Sequence, residues 1–245
     1  MSERRAHPVL IVDSHELFRT TLYAALRARG LDAHEAPLTD RDAVLADAAR
    51  LDTAVVVLAL SLTLGHGDRP DRAVDLVPAL RQLGHHTVVL RGSHDDAEMA
   101  KAVAGGAIGS VTRSTPFEVL LRLVARATDG EPVMTEVERR HWLTRHRHIM
   151  DRQRRFAELT RRLSSREHEI LRLLADGHGA AAIAERAGLP ESTVRAEIRA
   201  ILATLEVGSQ LEAAVLMRDD PALQHILDGL AAAPGRPTEV RRAIR

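Results

Sequence analysis

Five times between residues 8 and 128, a short run of β-branched and aliphatic residues gives way to a longer amphipathic segment, and few folds satisfy that rhythm. Val9–Val12, Ala54–Leu60, Thr87–Leu90 and Ile108–Val111 predict strands, with a weaker one at Leu31–His34. His15–Arg29, Thr39–Arg50, Arg69–Leu83, Asp95–Ala104 and Pro116–Thr128 predict the helices between them. Strands alternating with helices imply a parallel sheet, because parallel neighbours need a crossover to join them. Such a sheet is covered on both faces, and its chemistry is expected at the carboxyl ends of the strands.

A different pattern begins at Leu163. Ser164 and Glu167 have the spacing of a capping box, in which hydroxyl and carboxylate each satisfy an orphan backbone N–H ahead of an apolar run. Ile170, Leu171, Leu173 and Leu174 follow at helical spacing, and Gly177 ends that helix. A short second helix is expected over Ala180–Ala187, closed by Gly188, with Ile183 and Ala184 buried. Leu189 and Pro190 make a turn, since proline presets φ where no backbone N–H is needed. A third helix is expected from Glu191 to about Leu205, with Val194, Ile198, Ile201, Leu202 and Leu205 inward. Ser192, Thr193, Arg195, Glu197 and Arg199 then face outward.

A helix of this kind fits the DNA major groove. There arginine can donate two hydrogen bonds to guanine, while Ser and Thr hold phosphates near the helix N-terminus. Arg195 and Arg199 stand four residues apart, on one side of the helix.

The run Leu163-Ser164-Ser165-Arg166-Glu167, then Ile183-Ala184-Glu185-Arg186, then Ser192-Thr193-Val194-Arg195 and Leu205-Glu206-Val207 resembles the LuxR-type DNA-binding domain of NarL/FixJ response regulators. The resemblance implies that Arg195, Ala196 and Arg199 approach bases, and that the last helix, Ser209–Met217, offers a dimer contact. The copy departs from the pattern in three places. Ala180, Ala181 and Ala182 stand where the family is polar, Glu197 replaces a histidine, and Thr204 replaces a basic residue. Glu197 could accept from cytosine but repels phosphate, so modest DNA affinity is expected.

The first half is similar to a receiver domain of the same family, a flavodoxin-like fold, from Val9-Leu10-Ile11-Val12-Asp13-Ser14 through Gly109 to Pro116-Phe117-Glu118. The resemblance implies Mg²⁺-assisted phosphoryl transfer to an aspartate at the end of the third strand. Here that position is Ala59, which has no side-chain oxygen. The acidic pair after the first strand is reduced to Asp13 and Ser14. Arg91 replaces the Ser/Thr that senses the phosphoryl group, Arg113 replaces the usual lysine, and Ser110 replaces the switch aromatic. Ordinary phosphotransfer is therefore not expected. Asp13, Arg91 and Arg113 are expected to meet at the strand ends, as a fixed ion-pair cluster or as a cationic notch for an acidic small-molecule effector.

Composition bounds the rest. Lys plus Arg and Asp plus Glu are 34 each, so nucleic-acid binding has to come from local patches rather than from a polycationic whole. There is no cysteine, which excludes disulfides and thiolate metal sites. Aromatics are 2%, which leaves no platforms for base stacking. No run approaches membrane-spanning length and no basic-then-apolar leader opens the chain, so a cytoplasmic protein with no membrane partner is expected. No Gly-rich phosphate loop, nucleophile elbow or metal constellation is present, so neither an enzyme nor a cofactor is expected. His66 with Asp68 is two ligands without partners, and no metal is assigned. His85 and His86 read as a turn.

Between the two halves, Thr135–Arg162 lacks glycine and proline and predicts a helix. Trp142, Ile149, Phe156 and Leu163 recur every seven residues beside Leu143, Met150 and Ala157, a stripe able to zip two chains together or to pack on the first domain. The expected organisation is a degenerate receiver-like domain at 1–128, a helical linker at 129–162, a helix-turn-helix domain at 163–218 and a partly disordered extension at 219–245. Double-stranded DNA is the expected partner, with a homodimer reading repeated half-sites. Pairing with another response regulator is the alternative.

Overall fold

The computed structural model describes residues 6–65, 71–92 and 96–219. They fall into two compact units that divide after Ile149. The expected extension lies beyond Asp219, outside the described residues, as do His66 and Asp68.

In the first unit, β1 (Val9–Val12), β2 (Ala33–Glu35), β3 (Val55–Ala59), β6 (His86–Arg91) and β7 (Gly109–Thr112) form one sheet in the order β2-β1-β3-β6-β7. Every pairing in it is parallel. The helices α1 (Glu16–Ala28), α2 (Arg41–Ala48), α3 (Leu76–Gln82) and α4 (Asp96–Gly105) make the four crossovers, and α5 (Phe117–Thr128) follows the last strand. β1 and β3 are buried along their whole length, as expected of a strand covered on both faces. The fold is therefore the five-stranded receiver-like α/β sheet, followed by a helical unit.

Two stretches differ from expectation. The helix expected over Arg69–Leu83 begins only at Leu76, because the chain before it pairs elsewhere. β4 (Thr63–Leu64) and β5 (Asp71–Arg72) form a small antiparallel ribbon, and the Ala73 N–H donates to the Leu62 carbonyl at 3.0 Å. A single 3₁₀ turn at Ala73–Asp75 then leads into α3, whose Pro78 sits in the first turn, where no intrahelical donor is lost.

The other misreading is the histidine pair, which is not a turn. His86 opens β6, and His85 is 3% exposed with its Nδ1 accepting from the Ala54 N–H at 3.1 Å. That bond requires an unprotonated Nδ1. Burial pushes the imidazole pKa of His85 below its ordinary value.

Helix α6 (Glu136–Thr160) shares its apolar stripe between the two units. Trp142 and Leu143 pack on the core of the first, while Phe156 and Leu159 are buried in the second. Close approach at the start is made possible by Gly109, where a Cβ would stand 2.5 Å from the Val133 side chain. None of the described helices is long and apolar enough to cross a membrane.

The second unit contains α7 (Ser165–Ala175), α8 (Ala180–Ala187), α9 (Glu191–Thr204) and α10 (Gln210–Asp219) around Leu163, Leu171, Ile183, Val194, Ile198, Ile201 and Ala213. The capping box is present: Ser164 Oγ accepts from the Glu167 N–H, and the Glu167 carboxylate accepts from the Ser164 N–H at 2.8 Å. The Ser164 N–H and the Ser164 hydroxyl, both donating to it, hold the Glu167 carboxyl below the usual carboxylate range. Gly188 closes α8 at φ 65°, a conformation that penalises any residue with a Cβ.

Candidate nucleic-acid interface and the altered strand-end pocket

Helix α9 owes its orientation to the turn before it. Gly188 and Pro190 end α8 and start α9, and Val194, Ile198 and Ile201 then fix α9 by their burial. What remains outside is a continuous polar face. Ser192, Thr193, Arg195, Ala196 and Arg199 are all exposed. Arg195 is steered back along the helix, its Nε and Nη2 donating to Glu191 Oε1 at 2.9 and 2.6 Å. The Arg199 Nε donates to the Arg195 carbonyl at 3.3 Å, and among the described residues no carboxylate is bonded to it. An exposed pair such as Arg195–Glu191 contributes at most about 1 kcal/mol, so a phosphate or base can displace it.

Glu197 does not share that face. It turns to the flank, where its Oε1 stands 2.8 Å from Arg166 Nη2 on α7. The other oxygen, Oε2, is buried without a hydrogen-bond partner among the described residues. The expectation that Glu197 stands outward, free to accept from cytosine, is thereby corrected: the first turn of α7 reaches it, which periodicity on α9 alone does not reveal.

At the carboxyl ends of the strands, the structure brings two of the three expected charges together. Asp13 is fully buried, and Arg113 Nη2 lies 2.9 Å from its Oδ2. The His15 N–H also donates to Asp13 Oδ1, at 2.9 Å, and the His15 ring nitrogen Nδ1 is 3.1 Å from the same oxygen. The Phe18 ring lies under the Arg113 guanidinium at 5.5 Å. Ala59 closes β3 fully buried, and Ser14 is exposed.

Arg91 is not part of this cluster. Its guanidinium stacks on the indole of Trp142 at 5.6 Å and stands 3.9 Å from Asp96, which also meets Arg145 at 3.1 Å. The expected three-charge cluster is thus an Asp13–Arg113 pair. Arg91 leaves it because aromatic and acidic partners lie on the other side, on α6 and α4. Sequence reasoning placed Trp142 on an apolar stripe and Arg166 within a motif, but it assigned neither of them, nor Asp96 or Arg145, to these partners. Their only sequence signal is their type, since side-chain direction decides the partnership.

Residues 161–217 match the family described as bacterial regulatory proteins, luxR family. That segment is a luxR-type helix-turn-helix, and the class of protein follows: a DNA-binding response regulator that controls transcription. Among relatives, the nitrate/nitrite response regulator protein NarL of Escherichia coli is 24% identical over 90% of this chain and 99% of its own length. NarP of the same organism is 28% identical, covering 88% and 96%. The transcriptional regulatory protein LiaR of Bacillus subtilis is 26% identical, covering 84% and 94%. The chain is homologous to these response regulators along most of its length. Among solved structures, the response regulator RcsB in a DNA complex aligns with a TM-score of 0.49 at 19% identity, covering 87% of this chain and 98% of that one.

Proposed function

We propose that the chain is a sequence-specific transcription regulator, acting in the cytoplasm as a homodimer, whose receiver-like domain works without conventional aspartyl phosphorylation. It is not an enzyme on this reading and takes no cofactor. The domains are assigned as 1–128, the linker 129–162, the DNA-binding domain 163–218 and the extension 219–245. The reading rests above all on Ala59, the last residue of β3, a fully buried methyl group where phosphotransfer needs an exposed carboxylate. Asp13 favours the same conclusion, because its oxygens are engaged by Arg113 and His15.

In this reading Arg195, Ala196 and Arg199 meet base edges while Ser192 and Thr193 position α9 on phosphates. Dimerisation is supported by α10, where Leu211 and Val215, one turn apart, are 75% and 49% exposed. A zipper over the whole heptad stripe is disfavoured, since Trp142 and Phe156 are already engaged within the chain. With no phosphoryl switch, control passes to dimer formation or to a small-molecule effector. The test is acetyl phosphate with Mg²⁺, followed by intact-mass measurement and DNA titration. No phosphoryl increment and unchanged affinity are expected, whereas an increment mapped to an aspartate would overturn the reading.

A further inference from the structure

The recognition helix carries no net charge. Between Glu191 and Thr204 its ionisable residues are Glu191, Arg195, Glu197 and Arg199, two carboxylates against two guanidinium groups. A groove lined by phosphates attracts a neutral helix weakly, so neighbouring charges decide the local field. The nearest is Arg166, 2.8 Å from Glu197.

At about 100° per residue, Glu197 shares its flank with Thr193 and Ala200. That flank borders the exposed face on the side of α7. Glu197 is one helical turn from the exposed Thr193, about 6 Å between Cβ atoms, which is less than a Debye length of about 8 Å at physiological salt. Arg166 is its only bonded partner among the described residues, because Oε2 has none. The Glu197 side chain is 28% exposed and that of Arg166 is 54% exposed, so the carboxylate is half shielded while the guanidinium looks outward.

We propose that Arg166 and Glu197 form a charge pair that sets DNA affinity: Arg166 neutralises a carboxylate that otherwise repels the phosphate backbone, and Glu197 holds Arg166 beside the recognition helix. Arg166 is therefore a positioning residue. Glu197 is a brake that trades general affinity for dependence on the base contacts of Arg195 and Arg199. The inference rests on the reading of α9 as the DNA-binding helix.

The experiment uses the full chain and a mixed-sequence duplex, with fluorescence anisotropy titrations across a range of salt. Arg166→Ala is expected to weaken binding about tenfold at low salt, and the double variant with Glu197→Gln to return the log–log salt dependence to that of the unmodified chain. Glu197→Gln keeps the shape but removes the charge, and is expected to tighten binding severalfold. The double variant should recover to near the unmodified chain, and Arg166→Lys should retain most of the affinity. A double variant no better than Arg166→Ala would overturn the proposal, because Arg166 would then act through its own phosphate contact or through the fold. If Arg166→Ala fails to fold by circular dichroism, Glu197→Gln alone decides, and no tightening contradicts the brake. Failure of the DNA-binding reading looks different: the unmodified chain then binds no duplex at any salt. If Arg199→Ala weakens binding while Glu197→Gln does nothing, only the brake falls.

Discussion

Arginine does opposite work in the two units, and the difference lies in what surrounds it. Arg113 meets a carboxylate with no exposure at all, whereas Arg199 stands in solvent and is bonded to no acid among the described residues. A buried charge needs its partner to exist, so Arg113 is part of the architecture. An exposed charge needs none, so Arg199 stays available to a ligand. One residue type thus anchors a buried carboxylate at the strand ends of the first unit and stands exposed on α9 in the second.

The comparison breaks most visibly if the two arginines are removed in turn. Arg113→Ala strands a buried Asp13 carboxylate and is expected to destabilise the first unit by roughly 3 kcal/mol in urea unfolding. Adding Asp13→Ala should recover part of that loss. Arg199→Ala should leave stability within about 0.5 kcal/mol and instead remove about 1 to 3 kcal/mol of specific DNA binding. Equal stability losses for the two would refute the contrast.

A smaller effect is expected at the α7 cap, where Ser164→Ala should lower the stability of the second unit by about 1 kcal/mol. The Glu167 carboxyl is held below its ordinary range in the fold, so the box stabilises above that range and its contribution disappears as acid protonates it. In the first unit the sign involves a base. His85 has a lowered pKa, so the unfolded chain takes up its proton more readily, and stability present above about 6.5 is lost as pH falls below it. Unfolding midpoints between neutral and mildly acidic pH should therefore slope less in His85→Gln than in the unmodified chain. The smallest change is optical. Trp142 is the chain's one tryptophan, and Arg91→Ala, by removing the stacked cation, should raise acrylamide quenching and shift emission to the red. Unchanged fluorescence would show that Arg91 is not against the indole in solution.

Much of this was legible before any coordinates. Hydrophobic period located the five strand-helix units, and Ser164, Gly188 and Pro190 marked the helix ends, because those signals act over a few residues. That the third strand ends on Ala59, a side chain without oxygen, was equally plain, since residue type needs no geometry. The ribbon of Thr63–Leu64 with Asp71–Arg72 was not legible, because two-residue strands have no period to read. Nor were the destinations of Arg91 and Glu197. Each sits where sequence placed its Cα, but a long side chain chooses among partners brought near by other elements, Trp142 and Asp96 for one and Arg166 for the other.

The account is tested most directly by one titration: duplex selected from genomic DNA against the unmodified chain, with and without prior exposure to acetyl phosphate and Mg²⁺, and against Arg199→Ala. Superimposable curves for the first two and a weakened, less selective curve for Arg199→Ala are predicted. Tightening after acetyl phosphate, or an Arg199→Ala curve identical to the parent, would contradict it.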